Sequence, residues 1–387
     1  MKLALISHTY PTIYNPKSGK FVQDQFELLS ELDEFETDLF VPTPYSIIGT
    51  ERHKKNQSPF LSPSTTKNRF TYLSFPRKKF PGIVSNSLSR KAAHVLSQTD
   101  YDIVHVHWLY PDGMMIPALK KMGFKIALTI HGSDWYQSYS VKQMRSLIQE
   151  VLLHTDKILF SGPKISDDVI NAFPEVEEKS TIIYNMVDPE VYRPVSEVEK
   201  EENRSILNWE SPKKHALTIA NLRPEKGIDR LISSIYENED LRDVIFHIIG
   251  NTENSSHSKE IENSISSNPF GNIELHKPVP PHELLNYYGA SDFYILPSRR
   301  EGFNVSILEA TACGIPIVCS DVSGAKQVIE LGTGLLSKNQ AELTDAIIKM
   351  SQTFSNYSPE MLHHSVTSKF GKIPFRDRIT RIYNAMM

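Results

Sequence analysis

Short runs rich in Val, Ile and Leu alternate along this chain with longer amphipathic stretches, and that alternation restricts the fold more than any other feature. Leu3–Ser7, Asp38–Val41, Ile103–His107, Lys125–Ile130, Lys157–Phe160 and Thr181–Ile183 read as strands bounded by turn residues. Helical segments over Phe21–Leu32, Met114–Met122 and Val141–Leu153 fall between them. Near-continuous apolar strands separated by helices form parallel sheets covered on both faces. From Glu190 to Glu210 the pattern breaks: six acids, flanking prolines at 194 and 212, and little periodicity read as a linker over 191–213. The alternation then restarts, with strands at His215–Ala220, Val244–Ile249, Ile273–His276, Phe293–Leu296 and Ile315–Cys319. Helices at Ile228–Tyr236, His282–Tyr288, Val305–Ala312 and Glu342–Met350 separate them, and Pro374–Met387 is a last amphipathic helix. The reading is α/β: two doubly wound domains, residues 1–190 and 214–373, facing a central cleft. Ligands of such sheets lie at the carboxyl ends of the strands.

A chain of 387 residues suffices for two such cores at about 100–200 residues per domain. Cys313 and Cys319 are its only cysteines, which excludes a disulfide scaffold and a Cys-ligated zinc module and suits a reducing compartment. The N-terminus lacks the apolar core of a signal peptide, and no stretch approaches the roughly 18–20 apolar residues of a membrane span. A cytoplasmic protein is the expectation. With a formal charge of −4 and no nucleic-acid module, nucleic acid is not an expected partner. The charge is nevertheless uneven. Arg52–Thr99 holds ten Lys and Arg, among them Arg77, Lys78 and Lys79, and no acid, with Phe60, Phe70, Tyr72, Phe75 and Phe80 interleaved. Such a segment suits an anionic membrane face or an acidic substrate, and equally a solvated loop and helix face.

Several familiar motifs are absent: no G-x-G-x-x-G follows the first strand, and there is no phosphate loop, H-E-x-x-H or G-x-S-x-G. His105 and His107 share a strand face, and two histidines alone make a poor metal site. The informative stretch is Pro297-Ser-Arg-Arg-Glu301-Gly302-Phe303-Asn304-Val305-Ser306-Ile-Leu-Glu309-Ala310, which joins a strand end to a helix start. A helix beginning near Asn304 offers free N–H groups and a positive dipole end to an anion. Glu301 precedes it and Glu309 lies about one and a half turns inside, so both reach hydroxyls on either side of one bound phosphate. That suits a nucleotide-diphosphate sugar. Two glutamates at this spacing also suit a solvated helix face, and Glu301 alone a helix cap.

The string E-G-F-x-x-x-x-L-E-A-x-A-x-G-x-P resembles the donor motif of retaining glycosyltransferases of family 4, which have the GT-B fold of two Rossmann-like domains across a cleft. His8–Gln25, Asp102–Trp108, His131–Asp134, Asn185–Pro194, Ala220–Gly227 and Ser320–Ile329 are similar to further motifs of that family, so the likeness spans nearly the whole chain outside residues 42–95. It implies that Glu309 binds the ribose hydroxyls and Glu301 the transferred sugar. The amides of Asn304, Val305 and Ser306, with Gly302 and Phe303, meet the phosphates and sugar. Lys226 neutralises the departing diphosphate, and His131 bonds the donor sugar. Gly19 admits the phosphate to the backbone, the Lys277–Val279 backbone pairs with the base, and Asp134 orients His131 or the acceptor. The helix at 374–387 packs back on the first domain. An arginine is usual where this chain has Asn221, and Arg223 stands close enough to supply the charge.

The resemblance further implies no protein nucleophile, no cofactor beyond the nucleotide sugar and no metal, in keeping with the lack of an Asp-x-Asp motif. The expected acceptor is a glycan or lipid-linked hydroxyl of cell-surface polysaccharide synthesis, met at the cytoplasmic membrane face, where Arg77, Lys78 and Lys79 give peripheral contact. Two rival readings share the fold: a nucleotide-sugar epimerase, and a non-catalytic partner that binds the donor without turnover.

Overall fold

A strand buried on both faces gains from every side chain being apolar, and that is how the alternating runs are used. The computed structural model describes residues 1–13, 15, 18–45, 68–75, 78–209, 212–236, 238–251 and 255–387. The chain forms two compact units: Met1–Tyr184 with Phe375–Met387, and Asn185–Pro374.

In the first unit β1 (Lys2–Ile6), β2 (Glu36–Tyr45), β3 (Arg69–Leu73), β4 (Ile103–His107), β5 (Lys125–Ile130), β6 (Lys157–Phe160) and β7 (Ser180–Ile182) make a parallel sheet in the order β3-β2-β1-β4-β5-β6-β7. The order reverses between β1 and β4, where Leu5 pairs with His105. The helix Pro81–Leu96 buries Val84, Leu88, Ala92 and Leu96 at helical spacing. Sequence reading passed over β3 because it is an edge strand: Phe70 and Tyr72 are buried while Arg69 and Thr71 are not. The helix Lys372–Met386 returns to this unit through Phe375, Ile379 and Tyr383, one face at four-residue intervals.

In the second unit β8 (Lys214–Ile219), β9 (Val244–Ile249), β10 (Ile273–His276), β11 (Phe293–Leu296), β12 (Ile317–Ser320) and β13 (Gly334–Ser337) are parallel in the order β10-β9-β8-β11-β12-β13. The reversal here falls between β8 and β11. Residues 191–213, expected to be a linker, belong to this unit instead. They carry the helix Glu197–Leu207, started by a capping box in which Ser196 Oγ accepts from Glu199 N and Glu199 Oε2 from Ser196 N. Its Arg204 is buried and donates through Nη2 to both oxygens of Asp292, each at 2.9 Å. A buried guanidinium needs such a partner, so the acid-rich segment is anchored rather than free. Both cysteine thiols are buried and pushed up by that burial. Among the described residues no helix is long and apolar enough to cross a membrane.

Candidate active site

The reversal between β8 and β11 brings two loops of the second unit together at the strands' carboxyl ends. Gly227, at φ +66°, closes the first: a Cβ there would stand 2.1 Å from Pro297 O, so only glycine lets the loops touch. Arg299 ties them further, its amide donating to Glu225 O at 2.8 Å and its guanidinium to Asp229. Lys226 Nζ thereby reaches both oxygens of Glu301, 2.8 Å each. Glu301 also accepts from Ser298 Oγ at 2.7 Å and Asn304 Nδ2 at 3.0 Å. An ammonium, a hydroxyl and an amide thus fix one carboxylate at the start of the helix Val305–Ala312.

Asn304 caps that helix by accepting from Ser306 N at 2.8 Å. The Ser306 amide, expected at the donor, is therefore already engaged, whereas Asn304 and Val305 precede the first intrahelical bond. Ser306 Oγ bonds Tyr294 OH at 2.6 Å. Phe303 is also expected at the donor; its ring is buried under Gly324, whose Cβ would meet it at 2.0 Å, and packs on Phe370. The ring fastens the turn that starts at Gly302. Arg223 is exposed beside Asn221, whose Oδ1 accepts from Asn251 N.

Glu309 points between two phenols that sequence reasoning missed. Tyr192 OH donates to Oε1 at 2.8 Å and Tyr288 OH to Oε2 at 2.7 Å. Burial and the Glu309 charge hold Tyr288 well above the ordinary tyrosine value, so it remains a donor. Lying 117 and 21 residues from Glu309, neither tyrosine carries a local signal.

In the first unit His131 follows β5, its ring centroid 4.5 Å from both Phe21 and Trp108. His131 Nε2 meets His107 Nδ1 at 3.1 Å, and His107 stacks on His105 with centroids 4.5 Å apart. Burial keeps all three rings well below the ordinary histidine value, His107 at about 3, so they are neutral. His131 therefore acts as a neutral hydrogen-bonding group. Asp134, expected to orient His131 or the acceptor, is buried and accepts from the amides of Leu109, His131 and Gly132 at 2.7, 3.1 and 2.9 Å. It holds the loops after β4 and β5 and fastens the backbone of His131. Gly19, at φ +71°, is required by its own loop, since a Cβ would lie 2.3 Å from Thr9 O. Of the basic trio, Arg77 lies outside the described residues. Lys78 is half-buried, donating to Ser138 Oγ at 3.0 Å over the Tyr110 ring, and Lys79 is exposed.

This arrangement agrees with what the chain is similar to. A model described as Glycosyltransferase Family 4 matches residues 35–191, and one described as Glycosyl transferases group 1 matches residues 199–356. Over 346 residues the chain is 26% identical to an uncharacterised glycosyltransferase of Methanocaldococcus jannaschii, covering 88% of this chain and 87% of that one. It is 25% identical over 396 residues to the putative teichuronic acid biosynthesis glycosyltransferase TuaC of Bacillus subtilis, covering 96% and 95%. The solved structure of Anabaena HepE in complex with UDP and glucose superposes with a TM-score of 0.73 at 16% identity, across 100% of both chains. Two matched halves, two parallel α/β sheets and the paired glutamates converge: the chain belongs to the family 4 glycosyltransferases, with the GT-B fold.

Proposed function

We propose that the enzyme transfers a glycosyl group from a nucleotide-diphosphate sugar to a hydroxyl of a glycan or lipid-linked acceptor, with retention at the anomeric carbon. The observation that carries this is the Lys226–Glu301 pair at the start of the helix that bears Glu309. Lys226 and the helix start offer positive charge where a diphosphate must leave. Glu301 offers acceptors to sugar hydroxyls, and Glu309, aimed by two phenols, offers a bidentate acceptor to ribose. The anomeric C–O bond to phosphate breaks, and the acceptor oxygen forms its new bond on the same face. The acceptor's proton passes to the departing phosphate oxygen. No metal and no protein nucleophile enters this scheme. Arg223 adds a second positive charge in place of the arginine missing at Asn221.

The nucleotide and sugar of the HepE complex make UDP-sugars the first donors to try. Lys226→Ala should lower kcat by about 10²–10³-fold, as loss of one oxyanion donor does. Glu309→Gln should weaken donor binding by about 10–100-fold, as loss of a charged hydrogen bond does. Both variants should keep the wild-type circular dichroism. Wild-type turnover in either removes the assignment, and NMR of the products separates transfer from epimerisation.

The name of the Bacillus relative supports a cell-surface polymer as acceptor. Peripheral contact with an anionic membrane is supported by exposed Phe80 and Ile83 beside exposed Lys79, Arg90 and Lys91. The chain should co-sediment with anionic vesicles more than with neutral ones, and less at high salt. Equal sedimentation with both vesicle types would remove the membrane from the reading.

A further inference from the structure

A row of histidines crosses the second sheet apart from the Lys226–Glu301–Glu309 group. His247 of β9 pairs in register with Glu274 of β10 and with Leu217 of β8. Two-residue periodicity then sets His215, His247, Glu274 and His276 on one face. Trp209 lies flat on His247, ring centroids 3.6 Å apart and planes 8° from parallel, which fixes the imidazole's orientation. The other side of the group opens to solvent, Glu274 being about half exposed and His276 partly so.

Three ligand atoms converge here. His247 Nδ1 is 3.0 Å from His276 Nε2 and 3.3 Å from Glu274 Oε2, and His276 Nε2 is 3.5 Å from that same oxygen. A tetrahedral zinc site with bonds of about 2.0–2.2 Å has ligand–ligand edges of roughly 3.3–3.6 Å, close to this triangle. His247 Nε2 meets His215 Nδ1 at 3.0 Å, the outer hydrogen bond that a metal-ligating histidine commonly keeps. Hydrogen bonding uses the triangle one pair at a time: a single imidazole N–H donates within it, and solvent meets the exposed side of Glu274. A cation satisfies all three at once.

We propose that His247, Glu274 and His276 form a mononuclear zinc site, with water completing the tetrahedron. Two imidazoles and a carboxylate form a donor set that suits zinc. The ion clips the edge strand β10 to β9 immediately ahead of Lys277. It belongs to the second sheet and takes no part in the transfer step.

The full chain, stripped with a chelator and dialysed, is titrated with zinc chloride by calorimetry and with cobalt(II) by visible absorption. One ion per chain and a four-coordinate cobalt spectrum are expected. Glu274→Gln, which keeps the side chain's volume, and His276→Ala should each weaken zinc at least tenfold, since loss of even an outer partner costs 10–100-fold. Zinc should raise the Tm of the wild type and leave that of the double variant, Glu274→Gln with His276→Ala, unmoved. His107→Gln, in the first unit's histidine row, should bind zinc as the wild type does. Absence of stoichiometric binding overturns the proposal. So does undiminished binding in the double variant, or zinc binding that is lost with His107.

Discussion

A single phenol hydroxyl separates a glutamate that is merely present from one that is aimed. Tyr288 is fully buried and donates to Glu309 Oε2 at 2.7 Å. Tyr288→Phe removes that donor without leaving a cavity. A hydrogen bond to a charged group is worth about 1.5–3 kcal/mol, so the KM for the nucleotide sugar should rise by about 10–100-fold, with kcat changed less. Steady-state kinetics decides, and an unchanged KM would mean that Tyr288 does not orient Glu309. At this scale the sequence was legible where the chemistry is local. Glu301, Gly302, Asn304 and Glu309 fall within one strand–turn–helix and could be read together, whereas Tyr192 and Tyr288 are brought to Glu309 by packing alone. Asp134 shows the same limit: its place beside His131 is local and readable, while the Leu109 amide that it also accepts from comes from another loop and has no local sign.

Among elements, those that bury both faces or carry a strict helical stripe were readable, and those that succeed on one face were not. β3 buries two of its five residues and hides in a basic stretch. The helix Glu197–Leu207 was lost in a count of acids although Ser196-x-x-Glu199 spells a capping box. Its tertiary anchor, Arg204 on Asp292, spans 88 residues and has no local sign. The last helix was read correctly as amphipathic, and its key contact is Tyr383 OH on His105 Nδ1 at 2.6 Å, both buried. Tyr383→Phe leaves that imidazole nitrogen without its phenol. With Gln25 Nε2 still 3.2 Å from that nitrogen, the first unit should lose about 0.5–1.5 kcal/mol of stability, measured by urea unfolding followed through tryptophan fluorescence. Stability equal to wild type would show that the contact contributes nothing net.

For the molecule as a whole, the twofold alternation of strands and helices was the most legible property, because it depends on dozens of residues at once. Its response to acid depends on few. His105, His107 and His131 titrate below the ordinary histidine value of 6.5 when folded, so protons favour the unfolded chain. The stability they contribute is fully present above about pH 6.5. It falls as pH drops through the window that reaches about 3 for His107. Each buried ring can contribute a slope of up to about 1.4 kcal/mol per pH unit in that window. Chemical denaturation at pH 7, 6 and 5 should show the decline, and His107→Gln should make it shallower. An identical slope in that variant would remove His107 from the account.

The path of the backbone carries its own consequence. The first unit is closed by residues that follow the second, so in chain order the second unit is an insertion within the first. A fragment that stops at Tyr184 would be a broken fold, its His105 deprived of Tyr383. The smallest polypeptide holding every part of that sheet's shell splices Tyr184 to Phe375, and trimming the C-terminus injures the half of the enzyme encoded farthest from it.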